Sequence, residues 1–183
     1  MLDPLILKVI SIGFSLLFLL AALHKLAAPD QFRIVLQEYQ LLPRVLVAPV
    51  ARVLPVFEIL LGAGWLLAAN PESVAIASAL LLGMYTFAIG INLWRGRIHI
   101  GCGCGVAGAN EDDQQLSYGL IARNAVLILA VLSATIPAAN REFGFVDYMT
   151  LVTAVLAGTL LYIASSQLLG NNAAIGAWRN NDD

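Results

Sequence analysis

The chain has 183 residues, of which 60% are hydrophobic and 12% are charged, and its formal net charge at pH 7 is -2. Soluble domains carry about 25% charged residues, so this composition is typical of a membrane protein. No Lys/Arg cluster follows the pattern of a phosphate backbone, which excludes nucleic acid as a partner. We therefore expect residues 1–183 to form a single domain in a lipid bilayer.

Several apolar stretches are long enough to cross the hydrocarbon core, which takes about 20 helical residues. They cover residues 4–26, 49–69, 73–94, 117–137 and 146–169. This pattern predicts an all-α polytopic membrane helix bundle of the four-helix-bundle type plus one extra span, with about five transmembrane helices. Glycines at positions 62, 64, 83 and 90 predict close helix approach in lipid.

A polar segment, residues 29–43, follows the first span. Its residues Phe32, Val35, Leu36 and Tyr39 recur at helical spacing between polar neighbours. This spacing predicts an amphipathic helix that lies in the membrane interface, with membrane lipid as a partner.

The only two cysteines, Cys102 and Cys104, lie two positions apart in the glycine-rich stretch after the third span. Gly103 allows the sharp turn that a disulfide between them needs, and a strained disulfide is easily reduced. The first hypothesis is therefore reversible thiol–disulfide exchange with this pair as the catalytic residues. Metal binding and simple packing are the alternatives.

Basic and imidazole side chains surround the cysteine pair in sequence. Arg95 and Arg97 would stabilise a thiolate, or else anchor the membrane edge. His99 with the cysteines, and His24 as a fourth ligand, would suit zinc or cuprous copper, but the spacing matches no common zinc site, so we assign no metal. Either histidine would alternatively assist proton transfer or contact a quinone oxygen.

Glu58 lies inside the second span, where an ionised carboxylate is costly unless it is paired. We expect a buried network, which would either serve function or fix the helix register. The candidate partners are Lys25, Arg52 and Arg123. Asn92 and Asn124 are expected to serve helix packing, with hydrogen bonds between helices as the alternative.

Short segments along much of the chain form a wider pattern. They are Leu23-His24-Lys25-Leu26, residues 39–43, Leu54-Pro55-Val56-Phe57-Glu58, Asn92-Leu93-Trp94-Arg95-Gly96-Arg97, Cys102-Gly103-Cys104-Gly105 and Arg123-Asn124. This pattern resembles the MauE family of methylamine utilisation proteins, which is related to DoxX-like membrane proteins. One departure is that Gly101 and Val106 stand where family members often have an acidic residue and Phe.

The resemblance implies a multi-pass protein of the bacterial inner membrane that supports maturation of a periplasmic amine dehydrogenase. It also implies two partners, a thioredoxin-like MauD-type protein and the disulfide-rich dehydrogenase small subunit. A membrane quinone as electron acceptor is a hypothesis that rests on analogy of role. The residues assigned to such a cofactor site are His24, Lys25, Glu58, Asn92, Trp94, Arg95, Arg97, His99 and Arg123.

Two alternatives to a thiol–disulfide oxidoreductase stay open, so the sequence does not decide whether the protein is an enzyme. One is a non-enzymatic membrane scaffold or metal-binding maturation factor, and the other is a DoxX-like quinone-reactive subunit. The membrane face also stays open. Basic residues predict a cytoplasmic position for the first loop and the cysteine loop, whereas oxidation of exported proteins needs a dithiol on the outer face.

Overall fold

The computed structural model describes residues 2–67, 70–97, 100, 116–139 and 141–179. The helices in these ranges are α1 (Pro4–Ala27), α2 (Pro29–Glu38), α3 (Arg44–Leu66), α4 (Pro71–Trp94), α5 (Tyr118–Ser133) and α6 (Phe145–Arg179). The described ranges contain no β-strand, only an isolated bridge between Leu2 and Ala138. The prediction of an all-α polytopic bundle is confirmed.

Among the described residues, four helices are long and apolar enough to cross a membrane: α1, α3, α4 and the Phe145–Leu168 part of α6. The protein is therefore a multi-pass membrane protein. The predicted span at 117–137 forms the apolar helix α5, which has 16 residues. Its length is about 24 Å, less than a full hydrocarbon core, since each helical residue rises about 1.5 Å. After Ser133 the backbone continues in turns, in which Ala134, Thr135 and Ile136 donate to the carbonyls three residues before them.

The amphipathic helix predicted within residues 29–43 is α2. Proline at its first position suits a helix start, and Phe32 and Val35 form its buried face. The helix ends at Glu38, and Gln40 then takes a positive φ of 48° in the turn toward α3. Helix α3 begins at Arg44, five residues before the predicted start of the second span, and includes Pro49 and Pro55.

The main core joins α1, α3 and α4, and Val131 of α5 packs in the same cluster. The rings of Phe14 in α1 and Trp65 in α3 stack with centroids 5.9 Å apart. The indole N–H of Trp65 then donates to the Ser78 hydroxyl in α4 at 3.0 Å. These contacts connect the three helices by both apolar packing and a buried hydrogen bond.

A second buried cluster joins the end of α2 to α4 and α5. Its members are Val35, Tyr39, Ile89, Leu93, Ile100, Leu116 and Leu120. Ile100 and Leu116 flank the stretch that carries the cysteines, so both flanks belong to a cluster that includes Val35 of α2. The first loop and these flanks consequently lie at the same end of the bundle, as the topology prediction requires.

At the opposite end of the bundle, polar contacts join the start of α1 to the connection between α5 and α6. The Leu2 amide donates to the Pro137 carbonyl at 3.0 Å. Arg141 donates to Asp147 at 2.7 Å and lies 3.4 Å from Asp3. The hydrogen bond from Arg141 to Asp147 raises the pKa of this exposed guanidinium. The connection between α5 and α6 is thereby held against the start of α1.

Close approach of α1 and α3 depends on Gly62. A methyl group there would lie 2.8 Å from Leu19 Cγ and 3.2 Å from the Ser15 carbonyl oxygen. The Ser15 hydroxyl also donates to the Gly62 carbonyl at 2.9 Å. The predicted role in helix packing is confirmed for Gly62, whereas a methyl group at Gly83 would meet nothing within 4 Å.

Gly62→Ala is therefore expected to destabilise the bundle, by about 1–3 kcal/mol, because α1 must move away from α3. Gly83→Ala is the matched control, since it adds the same methyl group inside a helix without an overlap. Thermal unfolding in detergent measures the difference. Equal melting temperatures for the two variants would contradict the close packing.

A buried ion pair and an apolar pocket form the candidate functional site

Lys25 in the last turn of α1 and Glu58 in α3 form a buried ion pair. The ammonium nitrogen lies 2.6 Å from Glu58 Oε1, and the side chains are 4% and 1% exposed. The apolar periodicity of both helices turns these residues inward, and desolvation then makes separate charges costly. The structure confirms Lys25 as the partner of Glu58.

Two aromatic rings complete the surroundings of the ion pair. The Tyr85 hydroxyl donates to Glu58 Oε1 at 2.7 Å. The Lys25 ammonium lies 5.5 Å from the ring centroids of both Phe32 and Tyr85, within the range of cation–π attraction. Glu58 Oε2 is buried and has no hydrogen-bond partner among the described residues. The carboxylate is therefore held mainly through one of its two oxygens.

Tyr85 was not predicted, although the sequence contains a signal for it. Ser78, Tyr85 and Asn92 recur at seven-residue intervals in α4, a spacing that keeps side chains on one helix face. Ser78 and Asn92 are fully buried, and Tyr85 is partly buried. The polar face of an apolar span thus marks the side that contacts the interior of the bundle.

Arg123 in α5 lines the same small cavity as Lys25 and Glu58, and its guanidinium contacts α6. Its guanidinium donates to the Ser166 hydroxyl at 2.9 Å and lies 5.0 Å from the Tyr162 ring centroid. A cavity of about 30 Å³ is lined by Arg123, Asn124 and the three residues of the ion-pair centre, Lys25, Glu58 and Tyr85. Arg123 therefore shares a cavity with Glu58. The contacts with α6 were missed because no sequence spacing relates residue 123 to residue 166.

Arg52, the third candidate partner of Glu58, is exposed on α3. It forms no ion pair within the part of the chain that the structure describes, so its predicted pairing with Glu58 is wrong. Asn92 is fully buried, but its amide donates to the Ala88 carbonyl at 3.0 Å within the same helix rather than to another helix. Its side-chain oxygen has no hydrogen-bond partner among the residues described.

The other predicted site residues take different positions. Trp94 is 90% exposed at the end of α4, as suits a residue at a membrane interface, and Arg95 is exposed beside it. Arg97 and His24 are partly buried. None of these four residues lines the cavity beside the ion pair. The remaining predicted residues, which are His99, Cys102 and Cys104, lie outside the described residues.

The predicted metal ligands His99, Cys102 and Cys104 also lie outside the described residues. Within the described ranges, no group of three or more His, Cys, Asp or Glu side chains is arranged to hold a metal ion. Because His99 and both cysteines lie outside those ranges, the predicted His-x-x-Cys-x-Cys ligand set stays a prediction.

A larger pocket of about 480 Å³ opens beside the ion pair. Helices α2, α3 and α4 provide most of its wall, and its polar lining residues are Lys25, Tyr39 and Tyr85. Among its apolar lining residues, Leu46, Val53 and Met84 are 46%, 62% and 47% exposed. Exposed apolar side chains on spanning helices face lipid, so the pocket is accessible from the membrane.

These features define a class: a polytopic helical membrane protein with an ionised, aromatic-lined site inside its bundle. Comparison with known families is more specific. The family model described as methylamine utilisation protein MauE matches residues 3–137. The chain belongs to the MauE family, whose members take part in methylamine utilisation.

Curated relatives support this assignment over nearly the whole chain. The methylamine utilization protein MauE of Paracoccus versutus is 39% identical over 172 residues, which cover 92% of this chain and 89% of the relative. The protein of the same name from Paracoccus denitrificans is 34% identical over 183 residues, covering 95% and 92%. No solved structure matches the chain.

Proposed function

We propose that this chain is an inner-membrane thiol–disulfide redox protein for maturation of a periplasmic amine dehydrogenase of the methylamine-utilisation type. It works with a thioredoxin-like partner and supports disulfide formation in the dehydrogenase small subunit. Membership of the MauE family supports the pathway. The Cys-Gly-Cys sequence at 102–104 supports the chemistry, because one residue separates the two thiols in the chain.

The burial of Ile100 and Leu116 is the observation that carries this proposal. These two flanking residues are 7% and 3% exposed and pack against α2, α4 and α5. Cys102 follows Ile100 by two residues in the sequence. A fixed attachment beside the bundle is what a dithiol needs if it exchanges with a docked partner and with a site inside the membrane.

The proposed exchange is balanced in bonds and electrons. A thiolate of the reduced partner attacks the Cys102–Cys104 disulfide, and a mixed disulfide forms as the S–S bond of this chain breaks. The second thiol of the partner then attacks the mixed disulfide. The partner leaves as a disulfide, having lost two electrons and two protons, and Cys102 and Cys104 gain them as two thiols.

Single cysteine variants test this function because each removes one step of the exchange. In Cys104→Ser or Cys102→Ser the disulfide of this chain cannot form, so the exchange is possible only in reverse. The remaining thiolate attacks the disulfide of the oxidised partner, and the mixed disulfide accumulates because no neighbouring thiol on this chain resolves it. We expect a covalent adduct with the thioredoxin-like partner from the same strain, seen on a non-reducing gel and identified by its cysteine peptide. The Cys102→Ser, Cys104→Ser variant is the control without adduct. Absence of the adduct from both single variants would contradict the proposal.

A further inference from the structure

We propose that the apolar pocket beside Lys25 binds the ring of an isoprenoid quinone, which serves as the electron acceptor of the dithiol. This inference rests on the proposed thiol–disulfide function, because re-oxidation of Cys102 and Cys104 needs a two-electron acceptor. The occupant is identified from three properties of the pocket: its apolar wall, its neutral polar end and its place beside the flanks of the cysteine stretch.

The wall of the pocket fits a lipid-soluble ligand. Its volume of about 480 Å³ lies in the usual range for small-molecule sites, about 300–1,000 Å³. Residues from three helices line it, including Phe32 and Val35 of α2, Leu46 and Val50 of α3, and Met84 and Ala88 of α4. Because its rim is exposed apolar surface, a ligand with an isoprenoid tail enters from the bilayer and leaves the tail in lipid.

The polar end of the pocket offers hydrogen-bond donors without net charge. Lys25 has three N–H donors, and among the described residues only one hydrogen bond is formed, to Glu58 Oε1. Glu58 balances the ammonium charge at 2.6 Å. A neutral carbonyl oxygen is suited to such donors, whereas a phosphate or a carboxylate would bring a second anion close to Glu58. The charge balance thus favours a quinone over a phospholipid headgroup or a fatty acid.

The pocket is adjacent to the anchored flanks of the cysteine stretch. Val35, Tyr39 and Ile89 line the pocket, and they also belong to the buried cluster that contains Ile100 and Leu116. The same side chains therefore contribute both to the pocket wall and to the cluster around Ile100 and Leu116. The pocket and the two described residues that precede and follow residues 101–115 thus lie at one end of the bundle.

The redox step is balanced. As the Cys102–Cys104 bond forms, two thiol groups lose two electrons and two protons, and the quinone gains them as the two hydroxyl groups of a quinol. Lys25 binds one ring carbonyl and supplies a proton there. Glu58 and Tyr85 hold Lys25 in place, and both also line the cavity of about 30 Å³ that Arg123 and Asn124 share. That cavity has room for a water molecule, through which Lys25 is reprotonated.

Quinone binding is tested separately from thiol chemistry by using the full chain with Cys102→Ser and Cys104→Ser in quinone-free nanodiscs. The probe is ubiquinone-1, and equilibrium dialysis measures its binding. We expect saturable binding at one site per chain. Ala88→Trp, which fills the pocket, is expected to weaken binding about tenfold or more, and Leu46→Trp at the half-exposed rim is expected to weaken it as well. Ala122→Trp is the control, since Ala122 is exposed on α5 and lines neither cavity.

Folding of each variant is checked by its melting temperature, and Leu46→Trp keeps the test valid if Ala88→Trp does not fold. Ubiquinone-1 affinity that is unchanged in folded pocket variants would overturn the inference. A second result would also overturn it: the parent protein binds no quinone but is purified with a bound phospholipid, and Leu46→Trp no longer carries that phospholipid. If only the proposed thiol function is wrong, the measurements differ: the cysteine-free chain still binds ubiquinone-1, but no single-cysteine variant forms an adduct with the thioredoxin-like partner.

Discussion

Lys25→Met is expected to destabilise the protein by about 3–5 kcal/mol, because it leaves the Glu58 carboxylate buried without its countercharge. Tyr85 still donates one hydrogen bond to Glu58 Oε1, but one neutral donor does not replace an ammonium at 2.6 Å. Glu58→Leu is expected to be similarly harmful, since it leaves the Lys25 ammonium buried among Phe32, Tyr85 and apolar residues. Thermal unfolding in detergent measures both losses.

The double variant Lys25→Met, Glu58→Leu separates charge compensation from packing. Replacing both charges with apolar groups of similar size removes the desolvation cost, so we expect most of the lost stability to return. Arg52→Met on the same α3 helix is the control, because Arg52 is exposed and its removal should change stability by no more than about 0.5 kcal/mol. A double variant less stable than both single variants would contradict the assignment of a buried ion pair.

The same double variant also distinguishes a structural role from a functional one. If Lys25 and Glu58 take part in redox chemistry, a stable double variant is expected to fail in dehydrogenase maturation. Normal maturation in the double variant would limit the ion pair to fixing the register of α1 and α3. The measurement is dehydrogenase activity in a strain that carries only the variant gene.

Replacement of either cysteine is expected to abolish maturation of the dehydrogenase small subunit. Cys102→Ser and Cys104→Ser each change one sulfur atom to oxygen, so the change in volume is small, but a disulfide between positions 102 and 104 becomes impossible. We expect mature dehydrogenase to fall to the level of a strain without the gene. The readouts are dehydrogenase activity and the number of disulfides in the small subunit.

Membrane levels and melting temperatures of the two serine variants provide the control, and both should match the parent protein. Normal maturation in the Cys102→Ser, Cys104→Ser strain would contradict the thiol–disulfide function. That result would instead favour the non-enzymatic scaffold, in which the protein docks the maturation partners without exchanging electrons with them.

The sequence was sufficient to predict most of the fold because bilayer constraints act locally. Long apolar stretches indicate spanning helices, and the spacing of Phe32 and Val35 predicted the buried face of α2. The predicted length of α5 was wrong, since apolar composition continues to Pro137 while the helix ends at Ser133. Hydropathy measures burial in lipid and does not by itself locate the last hydrogen-bonded turn.

The candidate site was predictable only in part. The cost of a buried charge indicated a partner for Glu58, and Lys25 was among the candidates. The seven-residue spacing in α4 marks Tyr85 as a residue that faces the interior. Its contact with Glu58, like the contact between Arg123 and Ser166, depends on which helices are neighbours, and the sequence alone does not contain that information. The apolar pocket depends on the same packing, because α2, α3 and α4 form its wall together.

The redox state of Cys102 and Cys104 in native membranes tests the central claim most directly. Alkylation with membrane-permeant and impermeant maleimides, with and without prior reduction, measures the fraction present as a disulfide and the face from which the thiols are accessible. Our account predicts a disulfide that forms and is reduced reversibly, with labelling by the impermeant reagent from the periplasmic side after reduction. Thiols that stay fully reduced under all growth and oxidation conditions would contradict it.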